Sequence, residues 1–257
     1  MIIGTAVYLE KLKEDLEFYK KNYNVLELQD FIMPDNLEKN RECLIGQYKK
    51  LLADYSGILT IHGPYIDLYS TSFDPMIKRV SIIRYRQALM IASELNAKAI
   101  VIHSDYDNNK IYDGYDDYLY EENIKLWQDL MKEFESQKIM AVMENVLNKN
   151  PYVIKKIVEK INSPYLKACL DIGHANVHGE IDLLEWVKIY GDDLAYVHLH
   201  DNHGEKDQHL PIGEGKINFP DFFKEIKKIE SDVSIISEIF GGIEEQKRNL
   251  KNIKKLI

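Results

Sequence analysis

The stretch AIVIHS, residues 99–104, shows the pattern that decides the fold: a short run of Ile and Val that ends in a histidine. A continuous apolar run of this length predicts a β-strand that is buried on both faces, as in a parallel sheet. The chain contains eight such runs, with amphipathic helical patterns between them. The predicted strands are IIGTAV (2–7), VLELQ (25–29), ILTIHG (58–63), AIVIHS (99–104), IMAVMEN (139–145), KACLDIG (167–173), AYVHLHD (195–201) and VSIISEI (233–239).

The alternation of strand and helix predicts parallel strands joined by right-handed crossovers. Eight such units in 257 residues are typical of a closed (β/α)8 barrel, a TIM barrel, and an open doubly wound sheet is the alternative that the periodicity leaves open. The chain is long enough for one large core, and no Ser-, Gly- or Pro-rich run divides it. We therefore expect a single α/β domain over residues 1–257.

Composition excludes several classes of protein. The chain has 33 Lys and Arg against 42 Asp and Glu, a formal net charge of −9, which disfavours a nucleic-acid partner. No apolar run approaches the length of a membrane span, and the first residues lack the basic segment of a signal peptide. Cys43 and Cys169 have no C-x-x-C spacing, so we expect no disulfide framework and a cytoplasmic protein.

Ionisable side chains stand at the ends of six predicted strands. In a (β/α)8 barrel the carboxyl ends of the strands surround one opening, where the chemistry takes place. Histidine and carboxylate without thiolate suit Zn²⁺ or Mn²⁺. The pattern therefore predicts a divalent metal centre whose ligands come from these residues: His62 (strand 3), His103 (strand 4), Glu144 (strand 5), Asp171 (strand 6) with His174 just beyond it, His198 (strand 7) and Glu238 (strand 8).

The stretch VHLHDNHGEKDQH, residues 197–209, which ends strand 7 and continues into the following loop, contains four of the eight histidines. Asp207 and His209 are two residues apart in an extended loop, a spacing that lets both side chains bind one ion. His200 has the same side-chain parity as His198 and faces the opening, where it binds substrate or orients a metal ligand. His178 and His203 lie in loops, and we expect them to be solvated or to support a ligand.

The strand-end motifs, taken in order, resemble the xylose isomerase-like TIM-barrel superfamily. They are HGPY (62–65), VIHSD (101–105), MENV (143–146), LDIGHANVHG (170–179), VHLHDNHGEKDQHLPIGEG (197–215) and SEI (237–239). For the sugar isomerases and epimerases, the resemblance implies one metal held by Glu144, Asp171, His198 and Glu238, with His174 on the substrate. For the endonuclease IV class it implies three zinc ions, held by His62, His103 and Glu144, by Glu144, Asp171, His198 and Glu238, and by His174, Asp207 and His209.

The first hypothesis is a divalent-metal-dependent isomerase or epimerase acting on a sugar or sugar phosphate. This reaction needs a metal-stabilised enediolate and groups that remove and return a carbon-bound proton. Glu144 and Glu238 fit that role, and His62 and His174 would bind hydroxyls. Strand 2 presents Glu27, which resembles the carboxylate-ended second strand of the sugar branch and is expected to bind substrate.

The second hypothesis is an endonuclease IV-like zinc phosphodiesterase with two or three ions, which the complete set of nine ligands favours. The segment 104–122 argues against this hypothesis. It is predicted to be a loop at the opening with seven acids and one lysine, a net charge of −6, where a DNA enzyme needs basic groups. Its five tyrosines, Tyr106, Tyr112, Tyr115, Tyr118 and Tyr120, suit stacking on a sugar ring or a lid.

One further segment bears on the substrate. GEGKINF, residues 213–219, resembles the loop that leads into helix 7 in the superfamily. Its backbone amides, together with Lys216, are a candidate phosphate site, and a plain turn that enters a helix is the alternative. The sequence leaves open whether the sugar is phosphorylated.

Overall fold

Eight parallel strands form a closed barrel in the computed structural model, which describes residues 1–107 and 112–257. The strands pair in chain order, and the last pairs with the first. The predicted (β/α)8 barrel is therefore confirmed, and the open doubly wound sheet is wrong. The strands are β1 (Ile2–Val7), β2 (Val25–Leu28), β3 (Ile58–His62), β4 (Ala99–His103), β5 (Met140–Glu144), β6 (Leu166–Asp171), β7 (Leu194–Leu199) and β8 (Ser234–Ser237).

Helices connect the strands on the outside of the barrel. Several begin at signals in the sequence: Asp74 caps α5 by accepting a hydrogen bond from the Met76 amide at 2.7 Å, and Pro75 occupies the first turn. The helices are α1 (Leu9–Glu14), α2 (Leu16–Asn22), α3 (Pro34–Leu37), α4 (Arg41–Leu51), α5 (Pro75–Glu94), α6 (Tyr115–Gln137), α7 (Tyr152–Ile161), α8 (Ile172–His178), α9 (Leu183–Tyr190), α10 (Phe219–Ile226) and α11 (Ile243–Leu256).

Two apolar layers build the core. The larger lies between the barrel and its helices, and a smaller one fills the inside of the barrel with side chains from six strands. Strand side chains alternate between faces, so the second residue after each inner one also points inward, one layer nearer the carboxyl ends. The inner apolar residues are Val25, Val101, Val142, Cys169, Tyr196 and Ile236, and the residues two places on are Glu27, His103, Glu144, Asp171, His198 and Glu238.

This alternation places a polar layer directly on the apolar filling of the barrel. The layer holds five of the nine metal ligands that the sequence predicts, because the strands run parallel and in register. Glu238 stands one residue beyond the end of β8, so its carboxylate is the member that turns toward solvent. In the part of the chain that the structure describes, no helix has the length and apolar character to span a membrane.

Candidate metal centre

Four side chains from four strand ends converge above the apolar filling: Glu144, Asp171, His198 and Glu238, the four-ligand group. Their ligand atoms lie within 4.8 Å of one another. His198 Nδ1 lies 3.1 Å from Glu144 Oε1, 3.2 Å from Glu238 Oε2 and 3.8 Å from Asp171 Oδ2. Glu238 is the one member with appreciable exposure, 16% of its side chain, so the group opens to solvent beside it.

A second cluster lies beside the four-ligand group and consists of His174, Asp207 and His209, the loop group. Nε2 of His174 is 3.3 Å, and Nε2 of His209 is 3.0 Å, from the same oxygen, Asp207 Oδ2. The amide of His174 donates to Asp171 Oδ1 at 2.7 Å, which caps α8 and fixes the histidine at the start of that helix. The cap of α8 therefore links Asp171 of the four-ligand group to His174 of the loop group.

His62 and His103, the histidine pair, face the four-ligand group from the opposite side. Their Nε2 atoms lie 3.5 and 3.3 Å from Glu144 Oε2. That oxygen is buried and accepts no hydrogen bond from any described residue. A buried carboxylate oxygen without a hydrogen bond costs about 1–3 kcal/mol or more, unless an ion satisfies it. The geometry fits a cation beside Glu144 and His62, whose ligand atoms lie within 4.8 Å of one another and of His198.

Hydrogen bonds hold each ring so that one nitrogen faces the carboxylates. Nδ1 of His62 donates to the Gly63 carbonyl at 2.9 Å, and Nδ1 of His174 donates to the Asn145 carbonyl at 3.0 Å. Nδ1 of His209 lies 2.6 Å from the Glu238 carbonyl and donates to it. Metal-binding histidines are oriented in this way, with the non-ligating N–H bonded to a carbonyl or carboxylate.

The carboxylates of the site attract positive charge strongly. Burial alone would raise the pKa of Asp171, but neighbouring histidines lower it to about 2. Burial would lower the pKa of His174, yet Asp171 and the surrounding carboxylates raise it to about 10, and His209 rises to about 9 for the same reason. In the absence of metal, protonated histidines thus balance the carboxylates. A divalent ion would replace those protons, and the imidazole and carboxylate donors suit Zn²⁺ or Mn²⁺.

His200 lies beneath the site rather than at its surface. Its side chain is fully buried, Nε2 donates to both oxygens of Asp171 at 3.1 Å, and the ring stacks on His209 at 3.9 Å. Gly173 provides the space, because a Cβ there would stand 1.8 Å from the ring of His200. This geometry favours the orienting role over substrate contact for His200.

Glu27 also lies below the opening, a position that does not favour contact with a substrate. The residue is fully buried, and its carboxylate accepts hydrogen bonds from Tyr196, His198 and Gln29. Burial raises its pKa, but His198 and His62 more than offset this, so the pKa of Glu27 is lowered. The carboxylate therefore stays ionised under the metal ligands, without access to the opening.

The candidate phosphate loop is already occupied by a buried carboxylate. Asp201 Oδ2 accepts the amides of Gly213 and Gly215 at 3.0 and 2.8 Å, and Oδ1 accepts that of Ile217 at 3.2 Å. The amide of Lys216 donates to the Asn202 carbonyl at 2.9 Å. Because these amides are taken, the geometry favours the alternative for residues 213–219, a plain turn that enters a helix.

The side chain of Lys216 lies apart from the opening. It lines a cavity of about 340 Å³ between α8, α9 and α10, whose other walls include Asn176, Asp182 and Asp221 but no member of the metal groups. The expectation that Lys216 binds substrate is therefore not supported by its position.

The rim on the β4 side differs from the predicted long loop. The structure describes residues 104–107 and 112–114 as irregular, residues 108–111 lie outside the described residues, and α6 already begins at Tyr115. Of the five tyrosines, Tyr106 lines a cavity of about 210 Å³ beside His103. Tyr112 and Tyr118 instead contact Phe73, at ring-centroid distances of 6.2 and 4.5 Å.

Two residues beside the ligands escaped the sequence reasoning, Tyr65 at the rim and Asn145 in the interior. Tyr65 stacks on the ring of His103 at 4.3 Å and lines the same cavity. Asn145 bonds to Asp171 twice through the backbone, by Nδ2 to the carbonyl and Oδ1 to the amide, both at 2.9 Å. Tyr65 belongs to the motif HGPY and Asn145 to the motif MENV. Their closeness in sequence to the predicted ligands His62 and Glu144 was the signal that could have identified them. His203 is exposed and His178 half-buried, and neither joins a metal group.

The fold and this arrangement together define a class: (β/α)8 barrels whose strand ends gather histidines and carboxylates around one opening. The family described as xylose isomerase-like TIM barrel matches residues 22–256. The chain belongs to this family.

The chain is similar to several relatives and solved structures. The chain is 30% identical over 266 residues to the uncharacterized protein MJ1614 of Methanocaldococcus jannaschii, covering 99% of this chain and 98% of that protein. It is 26% identical over 214 residues to the probable endonuclease 4 of Mycoplasmopsis pulmonis, covering 72% and 71%. The crystal structure of a D-tagatose 3-epimerase-like protein superposes with a TM-score of 0.83 at 27% identity, covering 100% of this chain and 97% of that one. The IOLI protein with a binding zinc atom gives 0.78 at 17% identity, covering 100% and 96%.

Proposed function

We propose that the protein is a divalent-metal-dependent epimerase or isomerase of an uncharged ketose. The observation that carries the proposal is the approach of two carboxylates, Glu144 and Glu238, to one point in front of His198 Nδ1, at 3.1 and 3.2 Å. Strands β5 and β8 are well separated around the barrel, so the two carboxylates reach that point from different directions. The solved D-tagatose 3-epimerase-like protein, 27% identical over the whole chain, supports the same class of reaction.

The side chains of the four-ligand group then have distinct roles. Asp171 and His198 are wholly buried and serve to hold the ion. A bound divalent ion supplies the positive charge that stabilises negative charge on the substrate oxygens. Glu238, the exposed member, takes a proton from the sugar carbon, and Glu144 or water returns one. His174, which is 12% exposed, contacts a sugar hydroxyl together with Asp207.

The charges around the opening favour an unphosphorylated substrate: Lys11, which lines a cavity together with Glu238, is paired with Glu14 at 2.9 Å. A phosphate needs free backbone amides or basic side chains. In the described residues the amides of the 213–217 loop are bound to Asp201 and Asn202, and Lys216 lies in a separate cavity. Aromatic faces at the rim, those of Tyr65 and Tyr106, suit the apolar face of a sugar ring.

Hydrogen exchange with solvent tests this proposal without knowledge of the product. Protein loaded with Mn²⁺ or Zn²⁺ is incubated in D₂O with D-fructose, D-tagatose and D-psicose, among other ketoses, and proton NMR follows the C1 and C3 positions. We expect deuterium at C3 for an epimerase or at C1 for an isomerase, and loss of exchange in Glu238→Gln. Glu205→Gln, which changes an exposed carboxylate near Asp207, is the matched control and should exchange like the parent. Exchange that survives Glu238→Gln would contradict the proton-transfer role.

A second candidate, an endonuclease IV-like zinc phosphodiesterase, is favoured by one specific observation. The histidine pair and the loop group stand next to the four-ligand group, so that all nine residues predicted for three ions gather at one opening. Elemental mass spectrometry of unchelated protein, with cleavage of abasic duplex DNA, separates the two candidates. About three zinc ions per chain with salt-sensitive cleavage would establish the phosphodiesterase. One ion per chain without cleavage would eliminate it.

A further inference from the structure

Glu27 is surrounded by hydrogen-bond donors on every side. Its Oε2 accepts from the Tyr196 hydroxyl at 2.7 Å and from His198 Nε2 at 3.2 Å, and its Oε1 accepts from Gln29 Nε2 at 2.8 Å. The Tyr196 hydroxyl lies 2.7 Å from Thr60 Oγ1, which can donate to it in turn. A buried carboxylate of this kind is stable only because each oxygen is satisfied.

The contact with His198 sets the state of a predicted metal ligand. Both ring nitrogens of His198 face carboxylates, Nε2 that of Glu27 and Nδ1 those of the four-ligand group. A metal that displaces the Nδ1 proton therefore leaves the other proton on Nε2, donated to Glu27, with the lone pair of Nδ1 facing the four-ligand group. The other ligand rings that are oriented in this site bond to backbone carbonyls: His62 to Gly63, His174 to Asn145 and His209 to Glu238. In His198, by contrast, the nitrogen that faces away from the four-ligand group donates to a carboxylate, that of Glu27. A charged partner at this nitrogen makes Nδ1 a stronger donor to a metal.

Through Gln29 the same carboxylate reaches a second ligand. The amide nitrogen of Gln29 donates to Glu27 Oε1 and also to Glu238 Oε1, at 2.8 and 3.1 Å. This bond holds one oxygen of Glu238 and leaves the other, Oε2, 3.2 Å from His198 Nδ1. One buried residue on β2 therefore aligns ligands from β7 and β8.

We propose that Glu27 is a positioning residue of the metal centre, which fixes the donor nitrogen of His198 and, through Gln29, the ligand oxygen of Glu238. The inference rests on the metal centre of the proposed function and adds a residue beneath it that acts through His198 and Gln29. Loss of such an orienting partner typically weakens metal binding by about 10–100-fold.

Glu27→Gln tests this role with little change of volume. An amide has one acceptor oxygen, so either orientation turns its NH₂ toward a donor, Gln29 on one side or His198 on the other. We expect zinc affinity, measured by competition with a chromophoric chelator, to fall about 10–100-fold. The visible absorption of bound Co²⁺ should shift, because His198 Nδ1 and Glu238 no longer meet the ion in the same geometry.

Gln29→Met is the second variant, since it breaks the connection to Glu238 while His198 keeps its carboxylate. It should weaken zinc binding less than Glu27→Gln does, and it keeps the proposal testable if the first variant does not fold. Asp30→Asn is the matched control: this carboxylate accepts from the Leu9 amide and the Tyr48 hydroxyl, and contacts no metal ligand. It should leave the zinc affinity and the Co²⁺ spectrum unchanged.

The outcomes separate this inference from the proposed function. Folded Glu27→Gln and Gln29→Met proteins that bind zinc within about threefold of the parent, with an unchanged Co²⁺ spectrum, overturn the role of Glu27. A parent protein that binds no divalent metal overturns the metal centre itself. Weaker binding in both variants but not in Asp30→Asn supports the proposal, whether or not a ketose is turned over.

Discussion

Replacement of Asp201 by asparagine should destabilise the protein by about 2–6 kcal/mol. The carboxylate is fully buried and accepts four backbone amides: Oδ1 bonds Asn202 and Ile217 at 2.9 and 3.2 Å, and Oδ2 bonds Gly213 and Gly215 at 3.0 and 2.8 Å. Asparagine offers one acceptor oxygen, so either orientation leaves two buried amides against an NH₂ group. Each buried donor without a partner costs about 1–3 kcal/mol, which gives the stated range.

Urea unfolding followed by circular dichroism measures this effect, with the slope checked against the parent. Asp182→Asn is the control, because Asp182 is an exposed helix cap whose bond to the Leu184 amide asparagine makes equally well. It should change stability by less than about 0.5 kcal/mol. A loss below about 1 kcal/mol for Asp201→Asn would refute the reasoning.

Three further predictions concern the metal centre. Gly173→Ala should weaken zinc binding in a chelator competition, because the new Cβ would stand 1.8 Å from His200 and displace that ring from Asp171; Gly46→Ala, with nothing within 4 Å of its Cβ, is the control. Zinc uptake at pH 7 should release a proton from His198, since the burial of this ring is outweighed by the carboxylates around it, which hold its pKa well above the usual range, so that it is protonated without metal; the affinity then increases with pH, and calorimetric heats that do not vary with the buffer would contradict this. Chelation should lower the melting temperature by about 10 °C, from about 4 kcal/mol of linkage at a metal concentration 1,000 times Kd, and an unchanged melting curve would exclude a tightly bound ion.

The barrel was predictable because strand periodicity and burial impose the same pattern. A strand such as β4 is buried on both faces, so its apolar run is continuous and recognisable without neighbours. Because side chains alternate between the two faces of a strand, the residue two places after an inner apolar residue also points into the barrel. Glu144, two places after Val142, is an example. The set of ligands therefore follows from local sequence together with closure of the barrel.

The direction and partners of individual side chains were not predictable, since they depend on contacts across the barrel. Glu27 has the parity of a residue at the opening, but its neighbours Tyr196 and His198 come from β7, 169 and 171 residues away in the chain. The amides of the loop near Lys216 look free in sequence until Asp201 is seen to accept them. Short-range patterns do not contain such distant pairings.

The most direct test of the central claim is anomalous diffraction at the zinc and manganese edges from crystals of the unchelated protein. The account predicts an anomalous peak in front of His198 Nδ1, within bonding distance of Glu144, Asp171 and Glu238. Additional peaks at the loop group or the histidine pair would assign the further ligands. Metal-replete crystals with no peak at the four-ligand group would contradict the metal centre, and with it the proposed reaction.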